Sequence, residues 1–176
     1  MLKHPKPIVK ADEKAHMLDK SILDFYYSEA DDIFGAVMRD CNLCFWEGAD
    51  NYSYEKRIKS PLKNFQFRIW RVEKTKTWIT SDKTNSLYSW DLLLGKPTQL
   101  KQAHEGKILQ FLEVPSHNMI LISSLDKRLV IWDIDTLEPK CQMPVKNSIH
   151  SICYSAQLDV TFFYFRTCSV PATLRT

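Results

Sequence analysis

An internal repeat constrains the fold of this chain more than any other feature of its sequence. Residues 22–47 align without a gap on residues 108–133. The matched pairs include Ile22 with Ile108, Phe25 with Phe111, Ile33 with Met119, Asp40 with Asp126, Leu43 with Leu129 and Trp46 with Trp132. Repeats of this kind predict an array of similar structural units, because one unit alone cannot bury its apolar face.

A third copy lies between these two, and a fourth begins after them. Trp46, Trp90 and Trp132 are separated by 44 and then 42 residues. A fourth copy opens at Ile149, which follows Ile108 by 41 residues. A period of ~40–45 residues is typical of β-propellers, in which each blade is a sheet of four strands.

Each copy contains short apolar and β-branched runs that are bounded by turn residues. In the clearest copy they predict strands over 108–113, 119–124, 128–132 and 137–143, with turns at 115–118 and 126–127. These runs are too short for helices. We therefore predict an all-β chain: an incomplete β-propeller with about three four-stranded antiparallel blades plus the start of a fourth. In each blade one of the three tryptophans closes the third strand.

The repeat divides the chain into three predicted regions. Residues 1–14 form a flexible N-terminal tail, residues 15–160 hold the blades, and residues 161–176 are a non-repeat tail, interpreted as an alternative or truncated ending. The period requires a tryptophan at position 173 of the fourth copy, but Thr173 stands there. The run Val160–Phe165 is expected to be an exposed, aggregation-prone strand, because it is uncharged and rich in β-forming residues.

The dipeptides at the repeat boundaries carry a family resemblance. The chain resembles WD-repeat proteins through Trp90-Asp91, Trp132-Asp133 and Trp46-Glu47, and through Ala15-His16 and Ala103-His104, which stand where that family usually has Gly-His. The resemblance covers about residues 15–160. It implies the propeller fold and leaves function open, because this fold hosts many unrelated roles. The divergent dipeptides are similar to those of large multi-propeller members, some of which are associated with cilia and flagella.

The resemblance also implies a buried hydrogen-bonded network of His, Asp, Ser or Thr, and Trp in each blade. The matching residues are His16, Asp40 and Trp46 in the first blade, Thr80 and Trp90 in the second, and His104, Asp126 and Trp132 in the third. The networks are partial: Ala36 and Ile122 occupy the hydroxyl position of the first and third blades, and the second blade lacks both His and Asp. Such networks satisfy polar groups that would otherwise be costly to bury.

A catalytic interpretation of the same residues is less consistent with the sequence. His104, Asp126 and the nearby Ser123 or Ser124 have the residue types of a Ser-His-Asp triad, but the blade network already accounts for them. The four glycines form no phosphate-binding loop. Cys41 lies three residues before Cys44, a spacing that matches half of a zinc site, but no second pair of ligands completes such a site. We predict no enzyme activity, no cofactor and no metal.

Partner binding is predicted at the loops of one end of the blades. By register these loops carry Arg39, Lys83, Lys127, Arg128, Gln102 and Glu105. Four basic residues among six favour an acidic peptide or protein partner, because charges at an interface rim steer association. The leading hypothesis is a non-catalytic protein–protein interaction scaffold. It would be a fragment or short isoform of a larger propeller protein, completed by further blades of a longer parent or by another chain.

Two alternatives remain open. The basic residues of the stretch 56–76 alternate with aromatic residues, as in nucleic-acid-binding surfaces. The same pattern also fits an outer strand, a loop and an inner strand with a solvated edge. The tail 161–176 instead suggests a truncated isoform without independent activity.

Composition narrows the setting of the protein. The net charge of +3 is too small to indicate nucleic-acid or membrane binding by itself. Five cysteines at irregular spacing argue against a disulfide framework and favour a reducing compartment, so we expect an intracellular, cytoplasmic protein. The apolar runs are too short to cross a bilayer.

Overall fold

The computed structural model describes residues 21–48, 51–52, 55–165 and 172–175. The predicted tail 1–14 and the predicted network residue His16 lie outside these residues. The described part is built of β-strands with a short 3-10 turn at Pro115–His117, which confirms the all-β prediction. The strands form four antiparallel sheets in which neighbours along the chain are neighbours in space.

The first three sheets have four strands each and the fourth sheet has three. The first contains β1 (Ile22–Ser28), β2 (Ile33–Met38), β3 (Asn42–Glu47) and β4 (Glu55–Lys59). The second contains β5 (Gln66–Val72), β6 (Thr77–Asp82), β7 (Leu87–Asp91) and β8 (Lys96–Gln99). The third contains β9 (Ile108–Val114), β10 (Met119–Ser124), β11 (Arg128–Asp133) and β12 (Pro139–Pro144). The fourth contains β13 (Ile149–Ser155), β14 (Val160–Phe165) and β15 (Ala172–Arg175).

The turns repeat the same backbone geometry from sheet to sheet. After the first strand of each sheet, one residue has a left-handed backbone: Asp32 (φ 53°), Lys76 (φ 56°), Asn118 (φ 53°) and Asp159 (φ 51°). After the second strand, the same is true of Cys41 (φ 66°), Asn85 (φ 65°) and Lys127 (φ 60°). A left-handed residue lets a strand reverse direction within a few residues. The period of the sequence is therefore also a period of the backbone.

The first strand of each sheet carries an irregularity next to its first residue. The pairing with the second strand shifts between Ile22 and Asp24, between Gln66 and Arg68, and between Ile149 and Ser151. In the third sheet the shift falls opposite Ser123 and Ser124. The skipped residue of the second sheet, Phe67, is exposed. These β-bulges turn one side chain of each first strand out of the regular pleat.

The sheets stack face to face, and the core lies between them. Each sheet has an upstream face, which points toward the preceding sheet, and a downstream face, which points toward the following sheet. Val37, Leu43 and Phe45 of the first sheet pack against Ile69, Trp78 and Trp90 of the second. Trp70, Val72 and Ile79 pack against Phe111, Ile120 and Ile122 of the third, and Leu121 and Leu129 pack against Ile149, Ile152 and Phe163 of the fourth.

The fourth sheet extends beyond the repeat boundary that we expected at residue 160. Val160–Phe165 is its middle strand and pairs with β13 in the same register as the other second strands. Phe163 is 4% exposed and Thr161 is 1% exposed, whereas Tyr164 is 54% exposed. The strand is therefore buried on its upstream face, and the repeat pattern continues into the segment that we interpreted as a non-repeat tail.

Candidate functional site

The strand directions place alternate turns at opposite ends of the stack. Near the start of β1, Asp24 Oδ2 accepts a hydrogen bond from the Ile69 amide at 3.1 Å. Near the end of the same strand, Ser28 Oγ accepts one from Arg71 Nη1 at 2.5 Å. The first strands of these two sheets therefore run in the same direction. The β2–β3, β6–β7 and β10–β11 turns consequently lie at one end, together with the connections between sheets.

This end is the cationic end. Its basic residues include Arg39, Lys59, Lys63, Lys83, Lys107, Lys127, Arg128 and Lys146, and its acidic residues within the described part of the chain include Asp24, Asp40, Asp82, Glu105 and Asp126. All six predicted partner-binding residues lie at or beside its loops. At the opposite end, the acidic end, acidic residues outnumber basic ones among the described residues. The acidic ones in or beside its turns include Glu29, Asp31, Asp32, Glu47, Glu73, Asp91, Asp133, Asp135 and Asp159, and the basic ones include Arg71, Lys74, Lys76, Lys96 and Lys140.

A cleft of about 230 Å³ opens at the cationic end between the second and third sheets. Lys83 and Lys107 line it from two loops, and Arg68 lines it from the first strand of the second sheet. Phe67, the bulge residue of β5, contributes an exposed aromatic ring to the wall. The Asn85 side-chain amide, also in the wall, donates to the Glu105 carbonyl at 3.1 Å and thereby ties the two loops together.

Of the six predicted partner-binding residues, Lys83 lines the cleft and the other five do not, whereas Phe67, Arg68 and Lys107 line it without having been predicted. The bulge of β5 turns Phe67 outward, which the alternation of basic and aromatic residues does not reveal. Arg39 and Lys127 lie at the same end but do not line the cleft. Arg39 donates from its backbone and side chain to Ser21, and Lys127 occupies the left-handed position of its turn.

Asp82 orders the loop that carries Lys83. Its Oδ1 accepts from the amides of Thr84 at 2.8 Å and Ser86 at 3.1 Å, and from the Thr84 hydroxyl at 2.6 Å. Its Oδ2 accepts from Asn64 and Tyr88 at 3.2 Å each. Burial, followed by the charge of Asp82, raises the pKa of the Tyr88 hydroxyl. The carboxylate is therefore occupied by internal donors, and the loop that it orders presents the lysine ammonium outward.

The predicted pair His104 and Asp126 performs the same task in the third sheet. His104 Nδ1 lies 3.0 Å from Asp126 Oδ2, which also accepts from the Glu105 amide at 3.0 Å. The Arg128 amide donates to Asp126 Oδ1 at 3.0 Å. Burial acts to raise the pKa of Asp126, but the hydrogen bonds from His104 and the two amides outweigh it, and the pKa is lowered. The carboxylate fixes the β10–β11 turn to the connection that precedes β9.

The geometry around His104 is not that of a catalytic triad. Its second ring nitrogen, Nε2, lies 3.2 Å from the carbonyl oxygen of Ile122. Ser123 Oγ is buried and has no hydrogen-bond partner in the described part of the chain. Ser124 Oγ accepts from the Asp126 amide at 3.2 Å. A triad requires the serine hydroxyl to be hydrogen-bonded to the imidazole, and here both ring nitrogens have other partners.

The second sheet contains a continuous relay of side-chain hydrogen bonds that the aligned residue types did not predict. Trp90 Nε1 donates to Thr80 Oγ1 at 2.8 Å, and the Thr80 hydroxyl donates to Gln66 Oε1 at 2.6 Å. Gln66 Nε2 then donates to the Asn64 carbonyl at 3.1 Å. Gln66 takes the place of the missing His, and Asp82 takes the place of the missing Asp. Gln66 was detectable in principle, because a buried polar residue stands where the other three copies have Ile.

The remaining predicted network residues are less connected. Trp132 is 1% exposed, and its Nε1 has no hydrogen-bond partner among the described residues. Asp40 Oδ1 accepts from the Asn42 amide at 3.1 Å and so caps the β2–β3 turn. Trp46 is half-buried against the Phe34 ring, with 5.5 Å between ring centroids. The structure thus assembles the network around Trp90 and His104 and leaves Trp46 on the upstream face of the first sheet.

The basic stretch 56–76 does not form a continuous surface. Arg71 is 3% exposed and is ion-paired with Asp31 and Glu73. Its guanidinium also lies over the Trp78 ring at 5.5 Å. Trp70 within the stretch and Trp78 just after it are in the core. The cations of the stretch are divided between the outer strand β4, the cationic end, the buried strand β5 and the acidic end.

The described residues contain no candidate metal site and no candidate membrane-spanning helix. Among them, no group of three or more His, Cys, Asp or Glu side chains could hold a metal ion. Within the described residues, Cys41, Cys44, Cys141 and Cys153 form no disulfide, and burial raises the pKa of Cys41. No helix in this part of the chain has the length and apolar character needed to cross a membrane.

Comparison with known proteins identifies the architecture alone. No family model matches the sequence, and no curated protein matches it. The computationally designed protein Ika4 is similar in structure, with a TM-score of 0.65 and 11% identity, over 92% of this chain and 94% of Ika4. The designed protein Ika8 is also similar, with a TM-score of 0.63 and 12% identity, over 89% of this chain and 46% of Ika8. At such low identity the similarity shows a shared fold.

Proposed function

We propose that this chain is a non-catalytic protein-interaction scaffold of the WD-repeat type, whose four sheets are blades of an incomplete β-propeller. In this proposal the cationic end binds an acidic segment of a protein partner. The observation that carries it is the cleft between the second and third sheets, which is lined by Lys83, Lys107 and the exposed ring of Phe67. Arg68 also lines it, with its Nε 3.6 Å from Asp24 Oδ2.

The charges of the cleft favour an acidic ligand because the nearby carboxylates are already used. Asp82 and Asp126 accept internal hydrogen bonds from loop amides, so these carboxylates are held within their own loops and form no ion pair with Lys83 or Lys107 among the described residues. No ion pair within the described part of the chain neutralises Lys83 or Lys107. Glutamate or aspartate side chains would supply the missing counter-charges, and an adjacent apolar side chain would cover the Phe67 ring.

Each such contact contributes modestly. A solvent-exposed ion pair is worth about 0.2–1 kcal/mol, so replacing both lysines by glutamate removes two attractions and adds two repulsions. The total is about 1–3 kcal/mol, or roughly a 5- to 150-fold loss of affinity. Most of the effect should appear in the association rate and should weaken as salt is added.

The test uses the 176-residue chain and a fluorescein-labelled oligoglutamate peptide with a central phenylalanine, followed by fluorescence anisotropy. The double variant Lys83→Glu with Lys107→Glu should lose binding by the factor above. The matched control, Lys56→Glu with Lys96→Glu, changes the net charge equally on outer strands and should bind as the unmodified chain does. Equal loss in both variants would show an effect of net charge and would refute the cleft.

The same assay separates the competing functions. The competing probe is a single-stranded oligonucleotide. A nucleic-acid-binding module would be favoured if the oligonucleotide binds more tightly than the peptide and if its binding is lost in the variant Lys56→Glu with Lys96→Glu. Absence of binding to either probe would favour an isoform without independent activity. The distribution of the stretch 56–76 over buried and exposed strands supports the protein-binding proposal over the first of these.

A further inference from the structure

The three junctions between sheets are built in the same way. At each one, the downstream face of a sheet packs on the upstream face of the next, and residues at equivalent positions of the repeat make the contact. The Trp70 ring on the downstream face of the second sheet stacks on the Phe111 ring on the upstream face of the third, with 5.1 Å between centroids. The position of Phe111 is therefore a central contact of the upstream face.

The first sheet presents the same upstream face, but no described sheet covers it. The residue equivalent to Phe111 in the first sheet is Phe25, which is 59% exposed. In the other sheets this position holds residues that are almost fully buried: Ile69 at 1%, Phe111 at 8% and Ile152 at 3%. Phe25 stacks on Phe34 of its own sheet at 5.2 Å, which leaves its outer side open.

A polar contact is unused at the same face. Tyr27 is 47% exposed, and its hydroxyl donates to Asp32 of its own sheet at 2.8 Å. At the equivalent position of the other sheets, the side chain bonds to the preceding sheet in every case. Arg71 bonds to Ser28, Glu113 accepts from the Glu73 amide at 2.7 Å, and the Tyr154 hydroxyl lies 2.7 Å from Ser116 Oγ.

The fourth sheet has the complementary open face. Tyr164 on its downstream face is 54% exposed, whereas the equivalent residues Val37, Ser81 and Ser123 are at most 3% exposed. Cys153, at the position of Trp70, is also exposed. Phe25 and Tyr164 are both exposed in the same molecule, so the two open faces do not cover each other within one chain.

We infer that the upstream face of the first sheet, centred on Phe25, docks the downstream face of the fourth sheet of a second copy of this chain. The second copy is the occupant because it continues the stacking already seen at three junctions. At each of those junctions the upstream face of one sheet is covered by the downstream face of the preceding sheet. The contact is head-to-tail, so the two sides use different residues.

The equivalence of positions predicts a specific contact across this junction. Cys153 of one copy should lie against Phe25 of the next, as Trp70 lies against Phe111. The variant Phe25→Cys should therefore be cross-linked between copies by a short bismaleimide, giving a species of twice the mass in denaturing gels. Adding Cys153→Ser to this variant should abolish the cross-link, while Cys141→Ser should leave it unchanged.

The assembly itself is measured by sedimentation velocity over a concentration series of the 176-residue chain. Phe25→Asp and Tyr164→Asp should each weaken association about 30-fold or more, the loss expected when a central aromatic contact of an interface is removed. Leu93→Asp, at a residue that is 91% exposed on a turn, is the control and should have no effect. Circular dichroism of each variant tests whether the variant still folds.

Mixing the two variants distinguishes head-to-tail docking from a symmetric contact. A Phe25→Asp chain still has an intact fourth sheet, and a Tyr164→Asp chain an intact first sheet, so the mixture should form a dimer through one good junction. A monomer at every concentration would overturn the inference. So would a dimer that Phe25→Asp abolishes and Tyr164→Asp leaves intact. The peptide-binding cleft uses neither residue, so this inference and the proposed function can fail separately.

Discussion

The relay in the second sheet leads to a quantitative prediction about buried hydroxyl groups. Thr80 is 0% exposed; it accepts from Trp90 Nε1 and donates to Gln66 Oε1. Thr80→Val keeps the shape and leaves two buried polar groups without partners. Each such group costs roughly 1–3 kcal/mol, and partial relaxation of Gln66 reduces the sum, so we expect a loss of about 2–4 kcal/mol in the free energy of unfolding.

The third sheet supplies the opposite experiment. Ile122 occupies the position of Thr80, and the indole N–H of Trp132 is buried without a partner. Valine and threonine side chains have nearly the same shape. The difference in the free energy of unfolding between Ile122→Val and Ile122→Thr therefore isolates the effect of the hydroxyl. We expect the threonine variant to be as stable as the valine variant or up to about 2 kcal/mol more stable, because its hydroxyl gives the indole N–H an acceptor.

Urea denaturation followed by tryptophan fluorescence measures both effects. With a slope of about 2 kcal/mol per molar urea, Thr80→Val should lower the midpoint by about 1–2 M. The slopes should agree among variants, which shows that the same cooperative transition is compared. The reasoning fails if Thr80→Val unfolds at the midpoint of the unmodified chain, or if Ile122→Thr is several kcal/mol less stable than Ile122→Val.

Three further predictions concern other parts of the structure. The pKa of Asp126 is lowered in the folded chain. Its contribution to the free energy of unfolding is therefore present above the unfolded pKa near 3.8 and is lost as the pH falls through the folded pKa. Asp126→Asn should make the free energy of unfolding less dependent on pH in that window. Arg71→Gln should cost about 1–3 kcal/mol in thermal or urea unfolding, because the bond between the buried guanidinium and Ser28 is lost while Asp31 keeps its ion pair with Lys76. Gly35→Ala should cost about 1–3 kcal/mol in the same assay, since a Cβ atom there would lie 2.5 Å from the Trp78 ring, and an unchanged midpoint would contradict the packing of the first junction.

The repeat and its strands could be predicted because they depend on local chemistry. Apolar residues at fixed positions and tight turns recur in every copy, and the backbone shows the same left-handed residues at the same period. The expected boundary at residue 160 relied on a missing tryptophan at position 173, and the strand Val160–Phe165 begins at that boundary. Pairing of Val160–Phe165 with β13 needs only one buried face, which Thr161 and Phe163 provide.

The network in the second sheet could not be predicted from residue types at aligned positions. Gln66 lies at the start of a first strand, and only the pairing of β5 with β6 brings its side chain to Thr80. The stretch 56–76 is misleading for the same reason, because spacing along the chain does not show that Arg71 is buried against Asp31. Long-range contacts decide both cases.

The sequence by itself determined the all-β class, the period of the units and the turn residues, since these follow from which residues can be buried, extended or left-handed. The tertiary structure decided which cations share a surface, which polar groups are satisfied, and which faces stay open. Phe25 and Phe111 are equivalent in the sequence, yet one is 59% exposed and the other 8%. Exposure depends on the neighbouring sheet, and a repeated sequence does not show which of its copies has a neighbour.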